Sequence, residues 1–440
     1  MLKYIQYSGV RNTRGAEKFI GGYTMKKFLA IALALLMCLS LSAAAFADGP
    51  VEVELWHYFD SSNDKDMINL WVDEYNQIQD RIHITATYVS RPELMNQYNI
   101  GAISGELPDI GMVDSPEMAS YISLGVFDDI TDELNAWGEL DNFYPGPLSS
   151  CMDPEGRLYG LPQNTNCLCL ACNMTALKAA GYDHMPADLD EFKEMVAATT
   201  DAANGVYGFA MCAIGTEEGT FQLLPWLRST VNGKSVNVDD LTADSAVAGL
   251  TVLSDFIKNG YMSKESVNWT QADAWYQFCA GKAAMAECGT WHLAMTNEIA
   301  EPFEYSFCLL PTGEAGSSTS TIGGENFGVC TNCADKEGCV EFLKWMCSKE
   351  KEAEWAVGAG KIPVRGDSEA VYTYEVDGFA TFVDEMNYAQ ARGPHAEWPT
   401  IGEAIYTACQ SVFVDNVEPA AALAKAMETI APIVAENPLP

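Results

Sequence analysis

Val51, Val53 and Leu55 alternate with Glu52 and Glu54, the period-two pattern of a strand with one buried face. The alternation then stops and four rings follow in a row, Trp56, His57, Tyr58 and Phe59. Ser61 or Ser62 is the candidate N-cap of a helix over 63–78, whose apolar stripe is Met67, Ile68, Trp71, Val72, Tyr75 and Ile78. Strand-like runs recur at 82–89 and 108–113, separated by a second helical stretch at 92–104. This β-α-β-α-β order predicts the opening of a mainly parallel sheet with helices on both faces. In such sheets ligands bind at the carboxyl ends of the strands. The four rings and Asp114-Ser115 occupy those ends, so the rings stand where a ligand would sit.

The middle of the chain is richer in helix. Asp188, with Glu191 three residues on, has the form of a capping box after breaks at Gly181 and Pro186. Further helices are predicted near 243–258, 270–281, 336–348, 401–414 and 418–435. No repeat or long linker interrupts them, and 440 residues suit two to three lobes.

Charge changes the picture by exclusion. With 25 Lys+Arg against 61 Asp+Glu the chain carries -36, which argues against nucleic acid or an anionic membrane surface as partner. The N-terminus speaks to compartment. Lys26-Lys27, an apolar run from Phe28 to Leu41 and Ala45-Phe46-Ala47 form a secretory signal over 25–47, too short in its apolar run to span a bilayer. Residues 1–24 do not belong to such a signal and read as an upstream extension, with Met25 as the start. The mature chain is therefore expected outside the cell or at its surface, in the periplasm if the source has an outer membrane. Cys38 is weighed as a lipid-anchor site. The bulky Met37 before it departs from the small residue that lipoprotein processing prefers.

Thirteen cysteines follow residue 47. Cys167, Cys169 and Cys172, and Cys330, Cys333, Cys339 and Cys347, invite a metal reading. Their spacing is irregular, and Cys339, Leu343, Met346 and Cys347 share one helical face, so core packing is preferred and no metal or cofactor is expected. The acidic run Asp60–Asp66 suggests a calcium loop, but Lys65 replaces the turn glycine and Trp71 the terminal Glu.

Ordered motifs carry a resemblance over the whole mature chain: "PDIGMVDSPEMASYISLGVFDDIT", "GRLYGLPQNTNCLCLACN", "GYDHMPADLDEF", "FCAGKAAMAECGTW" and "GKIPVR". The chain resembles the extracellular solute-binding proteins of sugar ABC transporters, the group that includes maltose-binding protein. Cys172 departs from the usual Tyr before Asn173, and Asp188-Leu189 from the usual Thr-Trp. The resemblance implies an α/β, two-lobed periplasmic-binding-protein fold (type II-like), each lobe a mainly parallel sheet flanked by helices, with the ligand cleft between lobes. By analogy lobe one covers 48–158 plus 310–348, and lobe two 162–306 plus 352–440. The family's ligand positions fall on Trp56, His57, Asp114 and Ser115 in the first lobe, and on Asn164, Trp226, Trp291, Arg392 and Trp398 in the second, with Glu325 a weaker carry-over. Flat rings suit sugar faces, and amides or carboxylates suit hydroxyls. Trp71 and Trp345, on helical stripes, are assigned to core.

The implied function is capture of a mono- or oligosaccharide and its delivery to ABC permease subunits by hinge closure, by a monomer without catalysis. Two other classes stay open: the same fold binding a polyamine or other cation, and a secreted glycoside hydrolase using paired carboxylates.

Overall fold

The computed structural model describes residues 49–229, 237–299, 302–368 and 378–439. The upstream extension, the signal segment and Cys38 lie outside the described residues. Val51–Pro440 forms one compact unit.

The opening pattern builds the first sheet. Strand β1 (Val51–His57) pairs in parallel with β2 (Ile82–Tyr88) and with β3 (Ile110–Asp114). The intervening helices are Ser62–Ile78, capped by Ser61 whose Oγ accepts from the Asp64 amide at 3.1 Å, and Arg91–Ser104. Ile68, Trp71, Val72 and Tyr75 are buried as the stripe requires, whereas Ile78 is exposed because the helix ends there. The chain leaves this sheet through β4 (Gly160–Pro162) and enters a second with β5 (Leu168–Asn173), β6 (Tyr207–Ala210), β7 (Ala283–Gly289) and β8 (Tyr305–Cys308). It then passes through β9 (Ser320–Thr321) and returns as β10 (Glu325–Val329). The sheet orders are β2-β1-β3-β10-β4 and β6-β7-β5-β8.

Strand direction is mixed. The β2-β1-β3 half is parallel, as the βαβ pattern predicts, but β10 runs antiparallel to β3 and β4, and β5 antiparallel to β7 and β8. Parallel pairing needs a crossover helix between strands. Strands that arrive from the other half of the chain have no such constraint. Each sheet buries both faces. Val53, Leu55, Trp71 and Phe327 fill one side of the first sheet, and Leu94, Tyr98 and Phe127 the other. Leu168, Phe209 and Trp226 belong to the largest core of the second sheet, and Cys169, Trp275 and Phe307 to its opposite face.

The segments joining the two sheets lie side by side. Thr165 bridges Ile362 and Asn166 bridges Gly323. Gly324 has φ 146°, and a Cβ there would stand 2.2 Å from the Asn164 carbonyl oxygen, so only glycine fits where β10 begins. The helix Lys349–Ala359 packs on Ser62–Ile78 through Trp355, 4.9 Å from the Trp71 ring. It therefore packs with the first sheet. Asp188 caps Leu189–Thr199 through the Glu191 amide, while the Glu191 carboxylate turns back to the Ala187 amide and His184.

Among the described residues most cysteines are buried: β5 is buried along its whole length, and Cys339 and Cys347 are core. Among the described residues no helix is long and apolar enough to cross a membrane.

Trp71 is fully buried, with Trp345 and Trp355 as ring neighbours and Nε1 donating to Glu354 at 3.1 Å. Trp71→Ala is expected to cost ~3–5 kcal/mol of stability in urea unfolding. A loss under about 1 kcal/mol would show that this core relaxes into the space.

Candidate functional site

A cavity of about 720 Å³ opens between the two sheets. From the first come Tyr58, Phe59, Asp64, Tyr88, Arg91 and Asp114, at or just beyond the strand ends, joined by Glu325 and Lys361. From the second come Asn166, Thr216, Glu218 and Phe221, followed by Gln271, Tyr276, Trp291, His292 and Arg392. Both walls thus present rings and polar groups together.

The pleat of β1 decides where its rings go. Val53, Leu55 and His57 share the buried face, while Trp56 points to the opposite face and lies 6.3 Å from Tyr98 at 23°. His57 is buried against Phe59 and Tyr88, and burial and nearby Lys65 push its pKa down to about 4. Only Tyr58 and Phe59, released from the strand, reach the cavity. Trp56 and His57 support the wall from behind.

Asp114 ends β3 and is the centre of a buried ionic chain. Its carboxylate accepts from Arg91 Nη2 at 2.9 Å and from Arg392 Nη2 and Nη1 at 2.7 and 2.9 Å. Arg91 also donates to Glu117 at 2.8 Å. Arg392 also donates to Glu217 at 2.6 Å, and Trp398 Nε1 donates to the same Glu217 oxygen at 3.0 Å. The next helix, Met118–Ser123, has Glu117 at its N-cap and no side-chain capping bond. Arg392 stacks 4.4 Å over the Phe221 ring. It follows β11 (Ala389–Gln390) by two residues, and β11 is anchored by parallel pairing with β9.

Three carboxyls share two guanidiniums in this chain, so charge balance favours one retained proton. Burial raises Glu217 to about 7 against the pull of Arg392, and burial likewise raises Glu117 against Arg91. A second ionic group lines the same cavity. Lys361, buried, stands 3.8 Å from Asp64 and 3.7 Å from Glu325. Burial alone would lower its pKa, but those two carboxylates hold it above the usual lysine range. Burial raises Asp64 to about 6 despite Lys361. His292 is lowered to about 3 by burial and by Lys361, so its ring is neutral.

The sequence-predicted residues divide. Asp114, Trp291, Glu325 and Arg392 line the cavity together. Trp226 is fully buried in the second core, stacked at 27° on Phe192, with Nε1 donating to Glu287 at 3.2 Å. Trp398 is equally buried and stands behind Glu217. Neither presents a ring to the cavity, because both sit on the inward face of helices that close the core. Ser115 donates its amide to the Gly324 carbonyl at 2.9 Å, and Asn164 is buried with Nδ2 donating to Gln163 at 2.8 Å. Asn166, two residues on, faces the cavity instead.

The prediction missed Tyr88, Arg91, Phe221, Tyr276, His292 and Lys361. Tyr88 ends β2 and Arg91 opens the following helix, so the strand-end rule could have found both. The acidic run read as a failed calcium loop is part of the wall, through Asp60, Ser61, Asp64, Lys65 and Asp66.

The raised carboxyls set a pH dependence. The native state keeps a proton on Glu217 that the unfolded chain releases near 4.5, so this group's contribution to stability falls as pH rises from about 4.5 to about 7. Glu217→Gln should flatten that fall by up to about 1.4 kcal/mol per pH unit in urea unfolding. A profile parallel to that of the unaltered chain would show that Glu217 is ionised throughout.

Comparison with known proteins agrees with this architecture. The family model described as bacterial extracellular solute-binding protein matches residues 71–380. A binding protein of Brucella abortus (strain 2308) is 21% identical over 336 residues, 75% of this chain and 80% of the relative. The sn-glycerol-3-phosphate-binding periplasmic protein UgpB of Yersinia pestis is 24% identical over 359 residues, 76% of this chain and 78% of its own. Maltose-bound T. maritima MalE3 superposes with TM-score 0.74 at 20% identity, covering 86% of this chain and 98% of that one. The GacH receptor of Streptomyces glaucescens gives TM-score 0.75 at 20% identity, covering 88% and 99%. The fold is thus the two-lobed α/β fold of these binding proteins. With the family model spanning well over half of its length, the chain belongs to the bacterial extracellular solute-binding proteins.

Proposed function

We propose that the protein captures a carbohydrate outside the cell and delivers it to the permease of an ABC transporter, acting as a monomeric carrier without catalysis. The observation that carries this reading is the composition of the cavity wall. Tyr58, Phe59, Phe221 and Trp291 supply apolar rings, and two groups of paired charges stand among them: Asp114 with Arg91 and Arg392, and Lys361 with Asp64 and Glu325. Paired charges offer strong hydrogen bonds, which suits a polyhydroxyl ligand with apolar ring faces.

The relatives supply the competing ligand. UgpB is named for sn-glycerol-3-phosphate, while the MalE3 structure is maltose-bound. A phosphate needs cationic donors clear of competing carboxylates; here both arginines already hold carboxylates, and Lys361 stands beside Asp64 and Glu325, which repel an anion. A glycoside hydrolase needs one carboxyl to act as acid and another as base or nucleophile. Glu217, the carboxyl that keeps a proton, is not part of the cavity wall, and Asp114, Asp64 and Glu325 each have a cation beside them.

A thermal-shift screen against neutral mono- and oligosaccharides, glycerol 3-phosphate and spermidine tests the reading. A ligand at a hundred times its Kd adds about 2.7 kcal/mol, a readily measured rise in Tm. A neutral sugar is expected to give that rise and to be recovered unchanged. A rise with glycerol 3-phosphate or spermidine and none with any sugar would overturn it.

A further inference from the structure

We propose that Asp64, Glu325, Lys361 and His292 form a subsite that reads adjacent hydroxyl groups of a neutral ligand and rejects phosphate, carboxylate and amine substituents. This rests on the carbohydrate reading above and narrows it.

The four groups line the same cavity from distant parts of the chain, Asp64, Glu325 and Lys361 from the first sheet's side and His292 from the second's. His292 is fixed before any ligand arrives: its ring stacks on Trp275 at 4.6 Å and 20°, and its Nδ1 accepts from the Gly289 amide at 3.0 Å. An imidazole that accepts at Nδ1 and is neutral carries its proton on Nε2. That Nε2–H is buried and has no hydrogen-bond partner among the described residues. The same holds for Asp64 Oδ1 and Glu325 Oε2. The Lys361 ammonium stands 3.8 and 3.7 Å from the two carboxylates, beyond hydrogen-bond length, and 5.2 Å from the Trp291 ring centroid. Asp64, Lys361 and His292 are 4%, 4% and 1% exposed. Buried polar groups left in this state cost free energy until something completes them.

The donor and acceptor inventory decides what completes them. Two oxygens need donors, while an imidazole N–H and an ammonium need acceptors. A phosphate or carboxylate satisfies Lys361 and His292 but cannot donate to Asp64 or Glu325, and both repel it. An amine satisfies the carboxylates but cannot accept from His292, and Lys361 repels it. A hydroxyl donates once and accepts twice, so two adjacent hydroxyls meet all four demands with no charge transferred into the wall. His292 is accordingly a specificity-determining residue: its stacked ring holds the N–H in place, and a site built around a fixed hydrogen bond discriminates strongly against ligands that cannot complete it.

Calorimetric titration tests this with glucose beside glucose 6-phosphate and glucosamine, and maltose beside its 6′-phosphate, on the unaltered chain and on His292→Phe. The neutral sugar that binds should do so at least about tenfold more tightly than its charged derivatives. His292→Phe, which keeps a ring for Trp275, should weaken that sugar about tenfold. Should the variant not fold, as judged by its Tm, the neutral-to-charged comparison on the unaltered chain decides alone. A charged derivative binding as tightly as its neutral parent, or a folded His292→Phe with undiminished affinity, would overturn the subsite while leaving the carbohydrate reading intact. Binding of no sugar, neutral or charged, would overturn both.

Discussion

Asp114 is held from two sides, and the rest of the site depends on that. Arg91 reaches it from the helix that follows β2, and Arg392 from a segment 278 residues further along the chain. One carboxylate at the end of β3 therefore ties the first sheet to groups that belong with the second. Breaking a buried pair by removing one partner strands the other charge, which is far more costly than the pair itself is stabilising. The chain Glu117–Arg91–Asp114–Arg392–Glu217 thus specifies geometry more than it adds stability. It fixes the floor of the cavity and sets the Phe221 ring beneath Arg392.

The rings follow from simpler constraints. Alternation along β1 sends Trp56 and His57 to opposite faces of the sheet, so a run of four aromatic residues divides its labour. The first two brace the strand from either side, and the last two, free of the pleat, meet the ligand space. Trp291 lies beside the fixed His292, and Lys361 covers it, joining the aromatic wall to the second ionic group.

Much of this was legible in the chain itself, for definable reasons. The βαβαβ opening has clean periodicities, so β1, β2, β3 and their helices appear within a few residues of expectation. The direction of β10 was not legible, because it pairs with β3 across more than two hundred residues and no local pattern encodes that. Strand-end placement correctly drew Asp114 into the cavity, and family order drew in Trp291, Glu325 and Arg392. Trp226 and Trp398 show the limit. A tryptophan near proline has the same local sequence whether it caps a core or faces a ligand, and here buried carboxylates, Glu287 and Glu217, take their indole N–H groups inward. Lys361 and His292 gave no signal at all. Their significance arises only from partners that the fold assembles.

The measurement that bears most directly on the account is a crystal structure of the chain grown with the neutral sugar that stabilises it most. The account predicts sugar density in the 720 Å³ cavity, with a ring face on Tyr58, Phe59, Phe221 or Trp291 and hydroxyls within hydrogen-bond distance of Asp64, Glu325 or His292. Density on an outer surface, or in the cavity without contact to any of these side chains, would contradict it.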